Sequence, residues 1–128
     1  MSELSPTERT KVKRVPHKAA TDTAALYELL DQSLVAHVGI VEDGQPFVLP
    51  VVAARVGDQL LLHGSSASRL MKTIASGAPI CVTLTILDGL VLARSAFESS
   101  MNYRSAMILG SARAVSYTHL TLPTKRIV

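Results

Sequence analysis

Hydrophobic and polar positions change period several times along the chain, and each change marks an element. Residues 1–20 are polar and basic and are punctuated by Pro6 and Pro16, so they read as an arm or loop. Thr21 or Asp22 then offers a helix cap, and Leu26, Leu29 and Leu30 recur at three- and four-residue spacing, which predicts an amphipathic helix. Leu34–Val41 is an apolar, β-branched run of strand length, and Asp43-Gly44 is a strong hairpin signal leading into a return strand over Phe47–Val56. Pro50 cannot donate to a ladder, so it predicts an edge or a bulge at that point. Gly57-Asp58 turns the chain into a third strand, Gln59–His63. Ser65-Ser66 opens a short helix, Ala67–Ala75, which Gly77 and Pro79 terminate. Ile80–Leu87 reads as a strand, Asp88-Gly89 as a turn into Leu90–Ala96, and Tyr103–Val115 as the last strand-like run. About six strands and two helices without regular βαβ alternation predict an antiparallel barrel with two short peripheral helices.

Composition narrows the class. In 128 residues, 48% are apolar and 18% charged, enough for one packed domain and far from the profile of a disordered chain. Aromatics are only 4% and Trp is absent, so any planar ligand must rest on aliphatic side chains and backbone. The net charge of +3 is concentrated in the lead-in segment (Lys11, Lys13, Arg14, Lys18), which argues against a nucleic-acid partner. No apolar run reaches the ~18 residues of a membrane helix, and no signal peptide opens the chain, so no membrane partner is expected. A single Cys81 fits a reducing compartment, and the chain is expected to be cytoplasmic. No GxGxxG, P-loop, HExxH or CxxC pattern is present, and no metal cluster or Ser-His-Asp set can be assembled.

The last residues change character. Val115–Thr124 match the translation of a transposase-type sequencing adapter, GTC TCT TAT ACA CAT CTG ACG CTG CCG ACG. A leftover A and a sample index would encode Lys125, Arg126 and Ile127, and GTG TAG gives Val128 and a stop. Residues 116–128 are therefore expected to be a non-native tail, with Tyr117 and His119 set aside and the final elements of the barrel missing.

Candidate chemistry concentrates at Leu61–Lys72. A strand ends at His63, Gly64 permits a tight turn, and serines lead into a helix start where backbone N–H groups favour an anion. Arg69 and Lys72 stand three apart on one helix face, a fork and a point charge suited to phosphate, with Ser65 and Ser68 as hydroxyl donors. A capped surface helix carrying two solvated bases accounts for the same spacing. Leu70, Met71 and Ile74 take the opposite, buried face.

Three motifs together, His63-Gly64-Ser65-x-x-Ser68-Arg69-x-x-Lys72, Asp88–Phe97 and Ser100–Ser105, resemble the pyridoxamine 5'-phosphate oxidase-related family of FMN-binding split β-barrels, in its nitroimidazole-resistance-type branch. The similarity runs from about Lys13 to Ala114. It implies a mainly β, antiparallel split barrel that forms a homodimer with FMN at the subunit interface. It implies that Arg69 and Lys72 bind the FMN phosphate, helped by Ser65, Ser68 and the His63-Gly64 backbone, and that Pro50-Val51-Val52 lies against the flavin ring. An FMN-dependent oxidoreductase acting on a small-molecule substrate follows, with a reduced nicotinamide as electron donor and no catalytic side chain assigned. A non-catalytic flavin- or haem-binding module is the alternative. Ala53 stands where relatives often carry an aromatic or His, and Glu98-Ser99 where they often carry His, which bears on substrate preference.

Other residues have plainer readings. His37, between Ala36 and Val38, reads as a core or interface histidine, and Cys81 as a small buried hydrophobe. Asn102, Tyr103 and Arg104 either line a pocket or serve as an interface aromatic and an ion-pair partner.

Overall fold

In the computed structural model, residues 7–9, 11–14, 16–18, 22–115 and the backbone of 124–127 are described. Helix α1 spans Thr23–Gln32, and Asp22 caps it by accepting a hydrogen bond from the Ala24 N–H at 3.0 Å. Leu29 and Leu30 are buried and Leu26 half-buried, as the spacing predicts. Strands β1 (Val35–Glu42) and β2 (Gln45–Val56) join through Asp43-Gly44, both at positive φ (51° and 75°), the signature of the tight two-residue hairpin. β3 (Gln59–His63), α2 (Arg69–Ala75), β4 (Ile80–Val91), β5 (Ser100–Gly110), β6 (Ala112–Val115) and β7 (Thr124–Ile127) follow.

The strands make one antiparallel sheet in the order β5-β4-β1-β2-β3-β7-β6. Its two edge strands, β5 and β6, are separated in sequence by Ser111 alone, so the chain itself bridges the two edges. The architecture is a split barrel whose hydrogen bonding does not close, with two short helices.

Alternation fixes the core. Ala36, Val38 and Ile40 point inward from β1, Leu60 and Leu62 from β3, and Ile80, Val82 and Leu84 from β4. They pack with Leu30 of α1 and with Leu70, Met71 and Ile74 of α2. His37 sits on the other phase and is exposed, opposite Pro50 and Thr83, so it is not a core histidine. Cys81 shares that outward face and is half-buried rather than buried.

Two expectations about β4 and α2 need correction. Asp88-Gly89 does not turn the chain: β4 continues to Val91, and the ladder with β5 absorbs Asp88 as an irregularity between Leu87 and Gly89. The reversal falls instead over 92–99, which contains a single 3-10 turn at Ala96–Glu98. Helix α2 begins at Arg69, because the hydroxyl that caps it belongs to Ser68, which accepts from the Met71 N–H at 3.1 Å.

The described side chains of the N-terminal arm are exposed. Of the segment expected to be a non-native tail, 116–123 and 128 lie outside the described residues, Tyr117 and His119 among them. Residues 124–127 pair through their backbone with β3 and β6.

Two arginines fasten α1 to the sheet. Arg55 of β2 donates to both Asp31 carboxylate oxygens at 2.8 Å and lies over the Tyr27 ring, 4.3 Å from its centroid. Arg104 of β5 donates to both oxygens of Asp88 at 3.1 Å and to Gln32 Oε1 at 3.0 Å. The hydrogen bond with Arg55 holds the Asp31 carboxyl below its ordinary pKa, and the hydrogen bond with Asp88 raises the Arg104 guanidinium above its own.

Candidate functional site

A cleft opens where β2 loses one neighbour. β2 and β3 pair from Val56↔Gln59 to Val52↔His63, and there β3 leaves the sheet for α2. β2 stays paired with β1 through Pro50↔His37 and Leu49↔Val38. At Pro50 the strand is therefore locally an edge, which is the position a residue without an N–H tolerates. The wedge between the parting strands has a volume of about 350 Å³, at the lower end of the ~300–1,000 Å³ typical of small-molecule sites.

Pro50, Val51, Val52, His63, Gly64 and Ser68 all line this cleft. Six of the nine residues expected to hold a flavin are thus brought together by the fold. Leu49, Leu70 and Met71 complete the wall and were not expected there. Leu70 and Met71 read from sequence only as the buried face of α2; their closeness to the His63-Gly64 strand end was the available signal. The lining is mainly aliphatic, in keeping with a chain poor in aromatics.

Gly64 packs closely on Met71. A Cβ at this position would collide with the Met71 side chain, lying 3.1 Å from Cγ and closer still to the terminal methyl. Met71 is 1% exposed, so it has little room to retreat. The absent side chain at Gly64 lets the turn after β3 lie directly against Met71.

Ser65, Arg69 and Lys72 are not on the cleft wall. Ser65 is exposed, and its Oγ accepts a hydrogen bond from the Ala67 N–H at 3.3 Å. The Ser68 hydroxyl donates to the Ser65 carbonyl at 2.8 Å while capping α2, so its proton is committed within the turn. Arg69, the residue after Ser68, points toward the β1–β2 hairpin. Its Nε is 3.1 Å from Glu42 Oε2 and its guanidinium lies 5.0 Å from the Phe47 ring centroid. Lys72 is exposed and has no partner among the described residues.

The remaining candidates also have clear places. Ala53 is buried in the core. Tyr103 is exposed on β5, and Arg104 is an ion-pair partner of Asp88. Neither lines the cleft. Among the described residues no group of three or more His, Cys, Asp or Glu side chains could hold a metal ion, and no helix is long and apolar enough to cross a membrane.

Comparison with known proteins identifies the family and the fold. The family described as pyridoxamine 5'-phosphate oxidase matches residues 22–123. The chain belongs to this family. No curated protein matches it. Among solved structures, the flavocytochrome Anf3 from Azotobacter vinelandii is 44% identical, with a TM-score of 0.80 over 89% of this chain and 53% of its own. The FAD and heme binding protein from Mycobacterium smegmatis is also 44% identical, with a TM-score of 0.72 over 76% of this chain and 47% of its own. This member of the pyridoxamine 5'-phosphate oxidase family therefore spans about half the length of these two relatives. A candidate 5-nitroimidazole antibiotic resistance protein from Bacteroides thetaiotaomicron shares the fold at 19% identity, with a TM-score of 0.62 over 82% of this chain and 78% of its own.

Proposed function

We propose that this chain is the flavin-binding part of a cytoplasmic, FMN-dependent oxidoreductase that works as a homodimer on a small-molecule substrate, with a reduced nicotinamide as electron donor. The observation that carries the reading is the cleft itself: Pro50, Val51, Val52, His63, Gly64 and Ser68, singled out for a flavin, line one aliphatic cavity. A flat, largely apolar ring fits between β2 and the Met71-backed turn at Gly64. Lys72, without a partner among the described residues, and Arg69, one residue beyond the wall, are the cations for the phosphate. When bound, the flavin supplies hydride acceptance and donation. The chain's own residues grip it, shield its ring from water along Leu49–Val52, and orient it. The homodimer is supported by the outward sheet face, where Val35, Val48, Val52, Met107 and Leu109 are 40–66% exposed beside the cleft.

The absorption spectrum of the purified protein tests the reading: flavin bands are expected, and they are expected to bleach when reduced nicotinamide is added. A colourless protein that takes up no flavin overturns it. Replacing Arg69 and Lys72 together with Ala should cost several kcal/mol of FMN affinity, at about 1.5–3 kcal/mol for each charge-assisted bond, measured by fluorescence titration.

A second reading is favoured by the two relatives at 44% identity, described as binding FAD and haem and as a flavocytochrome. In it the chain belongs to a flavin- and haem-binding module that stores or senses its ligands. Identifying the flavin released on denaturation separates FMN from FAD. A haem band, with flavin that nicotinamide does not reduce, favours the module over the oxidoreductase.

A further inference from the structure

Arg69 is held less well than Arg55 and Arg104. Arg55 and Arg104 each donate two aligned hydrogen bonds to a carboxylate. Arg69 lies 3.1 Å from Glu42 Oε2, yet that oxygen is buried and receives no hydrogen bond. A buried carboxylate oxygen without a donor is costly, and Arg69 is the cation that offsets its charge. The Phe47 ring supports the guanidinium from below at 5.0 Å. Arg69 directly follows Ser68 of the cleft wall, and its side chain is 59% exposed. It is therefore free to turn, and it is now drawn to the hairpin end of β1 rather than to the cleft.

We infer that Glu42 is a positioning residue that competes with the phosphate of a flavin nucleotide for Arg69, holding the guanidinium on Phe47 until the phosphate takes it. The inference rests on the flavin reading and deepens it by naming what limits the preference for a phosphorylated flavin over an unphosphorylated one. Glu42 weakens binding of a phosphate-bearing ligand, because its pair with Arg69 must break first. Riboflavin, which has the ring and no phosphate, does not need Arg69 and is indifferent to Glu42.

The test is fluorescence titration of the full 128-residue chain with FMN and with riboflavin, for the wild type, Glu42→Gln, Arg69→Ala and the double variant. Glu42→Gln should bind FMN about two- to fivefold more tightly, the size of one exposed ion pair, with riboflavin unchanged. In the Arg69→Ala background the same change should have no effect on FMN. A weaker FMN complex in Glu42→Gln overturns the inference, since Glu42 would then be presenting Arg69 to the phosphate. A gain that persists without Arg69 also overturns it, because the carboxylate would be acting on the ligand directly. If Glu42→Gln does not fold, Phe47→Leu replaces it: loss of the ring should tighten FMN and spare riboflavin, and weaker FMN binding refutes the competition. A wild type that binds neither ligand sinks the flavin reading, whereas failure in the variants alone sinks only the role of Glu42.

Discussion

The two helices are fastened to the same core in different ways. Helix α1 is fixed by polar groups as well as packing: Arg55 of β2 spends its fork on Asp31 of the helix, and Arg104 of β5 spends its fork on Asp88 of β4 while also donating to Gln32 of the helix. Helix α2 is fixed mainly by packing, through Leu70, Met71 and Ile74; of its two exposed cations, Arg69 has one poorly aligned pair with Glu42 and Lys72 is unpaired among the described residues. An arginine with both fork bonds satisfied is a staple. A cation beside a cleft with no aligned partner has its bonding capacity in reserve, and α2 holds such a reserve at the end where β2 and β3 part.

The contrast can be broken by substitution. Met71→Ala should have the largest effect, about 2–5 kcal/mol of stability in denaturant unfolding, because it removes a buried side chain that also backs the cleft. A loss smaller than that of a surface change would mean that α2 does not depend on packing. Next come the cations. Arg104→Ala should lower stability by less than Met71→Ala and leave flavin affinity intact, whereas Lys72→Ala should leave stability intact and weaken FMN. Thermal melts and titrations on the same samples separate the two, and a reversal of the pattern would erase the distinction between staple and reserve.

The smallest effect is a pH dependence at α1. The hydrogen bond from Arg55 lowers the Asp31 pKa in the folded chain, so folded protein binds this proton more weakly than unfolded protein. Its contribution is complete above the unfolded value of ~3.9 and is lost as the pH falls through the lower folded value. Asp31→Asn should thus be less stable than wild type near neutrality, and the two curves should converge in acid. Curves that stay parallel would show that the pair contributes nothing through ionisation.

Much of this was legible from local chemistry. The α1 cap, the Asp43-Gly44 hairpin and the alternation that buries Ala36, Val38 and Ile40 depend on neighbours in sequence, and the sequence displays them. Pro50 marked a strand edge correctly, though only the early departure of β3 explains how an inner strand acquires one. The Asp88-Gly89 pair misled because a turn signal can be absorbed as an irregularity when flanking residues, here Leu87 and Leu90, still find partners across the ladder. At the site, the turn from His63 to Ser68 was readable, but the pull of Glu42 and Phe47 on Arg69 was not. Those residues are distant in sequence and meet only once the hairpin folds back beside α2.

The continuity of β5 and β6 through Ser111 also has a mechanical consequence. Sliding β5 by one residue along β4 would drag β6 with it, turn Ala112 out of the interior, and exchange inward for outward side chains at both margins of the sheet at once. Alignment errors at one rim are thereby penalised at the other, so this single bent segment works as a clasp that keeps both rims in step.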